Sequence, residues 1–424
     1  MKQDYTSQRS RVRLKGALRM GASCGLAAVV AAFCMSGSRA ADGAAAPADG
    51  WKHVDPQTVG VDSKQLEAAD ALIKSKPNSL IDQLVVARCG AIVFDHHYAH
   101  DYEAIYGAKS KEDSGISPKG GPAEFNYLDP TVYPYYHGSP LHSIQSVSKS
   151  LTSVIYGVAY TRGDFKSGLD TPVLNFFKGK PVKAVDDRKR HMTIRNVLTM
   201  RSGLDWPDGK GYNDPINSAM VMEHKVKDWP QFIIDHPMAS EPGTKMHYSD
   251  GDAVLLSWIF QQETGQTIAD YFTKYLFAPL GIRESYWRKS PLGLPDTEGG
   301  LFMRPQDLAK IGQLYLQNGM WKGQQLVSAD WIKQSLTPIP GEGGGIPGRG
   351  QEGFLWAVQP EGQGTDFMYS AHGYGGQGMF VVPKRNLVMV INAWNVLGRD
   401  GNTQREILDK VLAGTSTSSC PASL

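Results

Sequence analysis

Apolar and polar positions change period several times along the chain, and each change marks an element. DQLVVARCGAIVFDHHYAH, residues 82–100, carries two β-rich apolar runs broken at Gly90, which predicts a hairpin. From Ser146 to about Tyr160 the pattern predicts one helix with small polar residues at its start. Its second half is apolar nearly all round, as in a buried helix. Helical patterns then run to about Tyr286, interrupted by RSGLDWPDGKGYNDP and SEPGT. RPQDLAKIGQLYLQNG returns to helical periodicity, GFLWAVQ, GMFVVP and NLVMVINAW read as strands, and REILDKVLAG is a closing helix stopped by Gly414. Sheet, helices, then sheet again predicts one α/β body built from residues 51–160 and 288–424, with a mostly helical domain, 161–287, inserted between them.

Two stretches follow neither period. Residues 101–140 form a polar, Pro/Gly-rich loop carrying Tyr127, Tyr133, Tyr135 and Tyr136, long enough to be expected as an active-site wall. PIPGEGGGIPGRGQEG, residues 338–353, lacks the GK[ST] ending of a phosphate loop and the strand-to-helix setting of a dinucleotide loop, so it is expected to be a lid or surface loop.

Composition adds mainly location. At 424 residues, 41% hydrophobic and 20% charged, the chain is globular in character. Arg9, Arg11, Arg13, Lys15 and Arg19 precede the apolar GLAAVVAAFCM, and Ser38-Arg39-Ala40 offers a cleavage site. Residues 1–40 thus read as a secretory signal peptide followed by a linker, 41–50, which directs the protein to the periplasm or outside the cell. An uncleaved anchor is the alternative, but the apolar run is shorter than the roughly 20 residues a spanning helix needs. Removing these forty residues, with seven Lys/Arg and one Asp, takes the formal charge from +2 to −4. With no basic stripe left, binding to nucleic acid or an anionic membrane has no electrostatic basis, and a small molecule is expected as partner instead. Cys89 and Cys420, the pair outside the signal, are able to form one disulfide in an oxidising compartment; two free thiols, with Cys89 in a strand core, are the alternative. No feature specifies an oligomeric state.

Candidate chemistry begins at Ser146 and Lys149, which share a helix face at i, i+3. A serine hydroxyl needs a neighbour to take its proton, and a lysine with a lowered pKa is one such neighbour. A backbone N–H at the helix start is placed for an oxyanion. This is the one S-x-x-K in the sequence. Tyr248-Ser249-Asp250 sits in a polar turn before an apolar helix, where a tyrosine near a cationic lysine can relay protons. AHGYGGQGMFVVP brings Gly-rich backbone to a strand, and an edge-strand N–H there would complete an oxyanion hole. His96, His97 and His100 are not expected to hold zinc, because strand alternation sets His97 opposite the other two and no H-E-x-x-H accompanies them. Outside the expected signal peptide, where Gly21-Ala22-Ser23-Cys24-Gly25 fits the pattern, no G-x-S-x-G occurs.

Ser146-x-x-Lys149, Tyr248-x-Asp250 and the Gly-rich strand at Gly373 resemble, in order, the motifs of the serine β-lactamase and penicillin-binding protein superfamily, class C branch. MTIRNVLTMRSGL, LFAPLGI and GGLFMRPQDLAKIGQLYLQNGMWKGQ extend the likeness, and HGYGGQGMFVVP is most similar to 6-aminohexanoate-oligomer hydrolases and carboxylesterases. The resemblance implies a β-lactamase/transpeptidase-like fold, an antiparallel sheet flanked by helices. It further implies Ser146 as nucleophile, Lys149 and Tyr248 as the proton-transfer pair, and the N–H groups of Ser146 and Tyr374 as the oxyanion hole. Ala371-His372-Gly373 would stand where the family has Lys-Thr-Gly.

Two departures bear on substrate. No Lys-Thr-Gly occurs, so the lysine that meets a β-lactam carboxylate is replaced by the weaker, mostly neutral His372. Asp250 replaces the usual Asn; it cannot donate to a substrate carbonyl, and on contact would hold Lys149 protonated and move the base role toward Tyr248. The expectation is an exported serine hydrolase, cleaving esters or amides through an acyl-Ser146 intermediate without metal or organic cofactor. A true β-lactamase or D-alanyl-D-alanine carboxypeptidase is the first alternative, an inactive ligand-binding relative the second. Asp250 and the acidic mature charge also suggest tolerance for an amine-bearing substrate.

Overall fold

The computed structural model describes residues 50–339, 350–362, 366–398 and 401–422; the expected signal peptide and residues 340–349 of the expected lid lie outside this set. Its centre is an eight-stranded sheet: β1 (Lys52–His53), β2 (Ile81–Arg88), β3 (Ala91–His97), β4 (Gln351–Glu352), β5 (Ala357–Gln359), β6 (Met368–Gly373), β7 (Gln377–Val382) and β8 (Leu387–Ala393). The strand order is β1-β3-β2-β8-β7-β6-β5-β4. Only β1 and β3 pair parallel. The hairpin falls where the apolar runs break: Cys89 and Gly90 both take positive φ, 54° and 78°, as a two-residue turn between right-twisted strands requires. Cys89 is therefore a turn residue rather than part of a strand core, and it is disulfide-bonded to Cys420, which ties the C-terminal tail to this turn.

Strand alternation gives the sheet two apolar faces. Leu84, Val86, Met389 and Ile391 face α1 (Ser63–Ser75) and the closing helix α5 (Gly401–Ala413), meeting Leu66, Ala69, Ile407 and Val411. Val85, Ala87, Val388 and Val390 belong to the larger core on the opposite face, with α2 (Val147–Arg162), α3 (Asp250–Thr264) and α4 (Pro305–Leu316). Helix α2 is buried from Val147 to Ala159, which explains its nearly uniform apolar second half. Gly157 is required there: a Cβ at this position would lie 2.4 Å from Trp331 Cδ1.

Between α2 and α3 run four short helices, Asp187–His191, Ile194–Leu198, Ser218–Lys225 and Trp229–Ile234. The 101–140 loop is more structured than its composition suggests. It holds a helix at Tyr102–Tyr106 and buries Tyr127 and Tyr133, whose rings stack on each other and on Trp394. Aromatic rings supply the apolar area that its Pro/Gly-rich backbone lacks.

Candidate active site

Ser146 is the N-cap of α2, and the chain reaches it through Gln145 in the left-handed region, φ 47°. That conformation is costly for a non-glycine residue and is held here by burial and by a hydrogen bond from Gln145 Nε2 to Ser143 Oγ. The end of β6 lies directly against this backbone. A Cβ on Gly373 would be 2.5 Å from the Ile144 carbonyl oxygen, so only glycine lets the strand approach the residues before Ser146 so closely.

The three side chains singled out from the motifs meet. Lys149, one turn into α2, donates to Ser146 Oγ at 2.8 Å, and the Tyr248 hydroxyl donates to the same oxygen at 2.7 Å. Lys149 Nζ also lies 2.7 Å from Asp250 Oδ1 and 2.6 Å from the Glu298 carbonyl oxygen. Three acceptors match the three donors of an ammonium. Burial, the largest single influence, lowers the Lys149 pKa, but the charge and hydrogen bond of Asp250, with smaller contributions from Tyr248 and Glu298, together outweigh it and hold the amine well above its ordinary value. Burial raises Tyr248, with Asp250 adding to the rise, while Lys149 and the hydrogen bond with Ser146 oppose it. In the resting site, then, Lys149 is an ammonium and Tyr248 a neutral phenol. Asp250 is the residue that changes the chemistry, as its contact with Lys149 makes lysine unable to accept a proton.

Ser146 stands where two cavities meet. One is lined by Lys149, Tyr248, Ser370, Ala371 and His372 among others. The His372 ring is 2.8 Å from Ser370 Oγ through Nε2 and packs edge-on against Phe380. The other is lined by Tyr127, Tyr212, Asp250, Glu298 and Tyr374 among others. Tyr127 thus makes the 101–140 loop a wall of this second cavity. Strand β6 is not an edge strand, since it lies between β5 and β7; its pairing with β5 stops at Ser370, and Ala371 and His372 continue into the first cavity.

The sequence reading missed a buried charge cluster behind the second cavity. Arg288 Nη2 contacts Glu223 Oε1 at 2.8 Å and Asp296 Oδ2 at 2.7 Å, and its guanidinium also meets the Tyr127 and Tyr133 hydroxyls. Oxygens of Glu223, Asp296 and Glu298 lie within 4.8 Å of one another, the one such metal-compatible group among the described residues, but Arg288 already neutralises two of the three. Asp296 and Glu298 precede a Gly-Gly pair in DTEGG, and a run of that kind reads locally as a solvated turn. The histidines of DHHYAH disperse: His96 to Asp70, His97 to Tyr135, and His100 to the Ile81 carbonyl.

A mostly antiparallel sheet between helical layers, with Ser, Lys and Tyr converging on one oxygen, defines the architecture of the serine β-lactamases and transpeptidases. The chain belongs to this family: residues 82–411 match the β-lactamase family model. It is 24% identical over 275 residues to a 6-aminohexanoate-dimer hydrolase of Paenarthrobacter ureafaciens, covering 60% of this chain and 66%, just under two thirds, of that relative. Among solved structures it is similar in fold to EstCE1, a hydrolase with promiscuous acyltransferase activity (TM-score 0.62, 15% identity, 82% of this chain and 98% of that one). A penicillin-binding protein homologue from Caulobacter crescentus is also similar (TM-score 0.57, 14% identity, 84% and 99%).

Proposed function

We propose that the protein is an exported serine hydrolase that cleaves an ester or amide bond through an acyl-Ser146 intermediate. The observation that carries this reading is the pair of hydrogen bonds converging on Ser146 Oγ from Lys149 and Tyr248. Tyr248, once ionised, takes the Ser146 proton as Oγ attacks the carbonyl carbon, and Lys149 as an ammonium stabilises that phenolate. The backbone N–H groups of Ser146 and Tyr374 receive the oxyanion. Tyr248 then protonates the leaving amine or alcohol, and a water molecule, deprotonated by the same phenolate, releases the acyl group. His372 lines the cavity that Asp250 does not, and Gly373 lets β6 lie against the backbone before Ser146. The likeness to a 6-aminohexanoate-dimer hydrolase supports a hydrolytic role, and the Cys89–Cys420 disulfide supports an oxidising compartment.

Family membership keeps β-lactam cleavage as a second reading, disfavoured because His372 occupies the place of the carboxylate-binding lysine. The test is intact-mass analysis after brief mixing with p-nitrophenyl acetate, beside Ser146→Ala, with nitrophenol release followed in parallel. An acyl adduct and burst in the wild type alone are expected. A folded, unmodified and silent wild type would refute the hydrolase, and nitrocefin turnover exceeding ester turnover would favour the lactamase.

A further inference from the structure

We propose that the cavity bounded by Asp250 and Glu298 is a subsite for a primary ammonium group of the substrate, seated among the rings of Tyr127, Tyr212 and Tyr374. Its catalytic use rests on the acyl-Ser146 reading, because Ser146 lines the same cavity.

Acidic groups outnumber cations here: four buried carboxyl groups, Asp250, Glu223, Asp296 and Glu298, surround two buried cations, Lys149 and Arg288. Arg288 is engaged by Glu223 and Asp296, and Lys149 by Asp250, so Glu298 is left without a cation of its own. Its residue is 5% exposed and its Oε1 accepts no hydrogen bond, a costly state for an inner carboxyl oxygen. Neither lysine nor arginine lines the cavity.

The remaining walls suit a cation. Tyr127, Tyr212 and Tyr374 form a continuous aromatic corner, with the Tyr374 ring 4.9 Å from Tyr212 and 6.4 Å from Tyr127, edge to face in both cases. Ring faces attract an ammonium that has been partly stripped of water, and carboxylate oxygens accept its N–H donors. A neutral hydroxyl of similar size would find the same hydrogen-bond acceptors but would supply no charge. Burial, reinforced by Asp296, Glu223 and Asp250 and opposed by Lys149, pushes Glu298 far above the usual carboxylate range. The amine would lie close to the scissile carbonyl, because Ser146 lines this cavity together with Asp250 and Glu298.

The test is calorimetric titration of the full chain with propylammonium chloride and, at matched ionic strength, with 1-propanol, together with inhibition of p-nitrophenyl acetate hydrolysis by each. Propylammonium is expected to bind and inhibit at least tenfold more tightly than propanol, and Glu298→Gln to remove most of that difference. Equal affinities for the amine and the alcohol would overturn the proposal, as would an unchanged preference in folded Glu298→Gln. Should that variant fail to fold, the wild-type comparison decides alone. Calorimetry does not depend on turnover, so amine binding by a protein that leaves the ester intact would uphold the subsite and refute the hydrolase, whereas ester turnover without amine preference would do the reverse.

Discussion

Replacing Asp250 by Asn isolates the group that fixes the protonation of the site. Asp250 and Lys149 are both almost fully buried, with 2.7 Å between Oδ1 and Nζ. Opposite charges about 4 Å apart at an effective dielectric of about 20 attract by about 4 kcal/mol, and one pKa unit is about 1.4 kcal/mol. Deleting the charge therefore lowers Lys149 by up to about three units, of which the amide dipole recovers part. The same negative charge raises Tyr248, so both proton acceptors become available at lower pH. The acidic limb of the kcat/KM profile for p-nitrophenyl acetate, followed at the nitrophenol isosbestic wavelength, is expected to move down by at least about one unit. On that limb one unit is a tenfold gain in rate at fixed pH. An unmoved or upward-shifted limb, in a variant whose circular dichroism matches the wild type, would refute the assignment of Asp250 as the residue that holds Lys149 protonated and keeps Tyr248 un-ionised.

Two further substitutions test the surroundings. Burial pushes Asp252, in the first turn of α3, up to about 7, against the influence of Ser202 and His247. A carboxyl raised on folding favours the folded state below its unfolded pKa, near 3.8, and that contribution is lost as pH rises to about 7. Asp252→Asn should therefore raise Tm more at pH 8 than at pH 5; an equal shift at both would contradict the ionisation argument. Gly157→Ala should lower Tm although alanine favours helix by up to about 1 kcal/mol, because its Cβ would collide with Trp331 and overpacking costs about 1–3 kcal/mol. A higher Tm would mean the ring yields.

Much of this protein is settled by local rules. The hairpin at Cys89–Gly90, the buried helix opened by Ser146 and the strands GMFVVP and NLVMVINAW follow from periodicity and turn chemistry, which act over a few residues. The spacing of Ser146 and Lys149 on one helix face is equally local. The convergence of Tyr248 is not: it lies 102 positions from Ser146, and the packing of α3 against α2 brings the two hydroxyls to 2.7 Å. The same holds for Cys89 and Cys420, separated by 331 residues, and for β6, whose interior position in the sheet depends on strand order and not on its own glycines. The Arg288 cluster was hidden for the clearest physical reason. A charged residue in an acidic turn reads as solvated unless its burial is known, and burial is a property of the whole packed chain. That burial couples Glu223, Asp296 and Glu298 to the nucleophile's cavity, and with Asp250 it decides which protons the site holds.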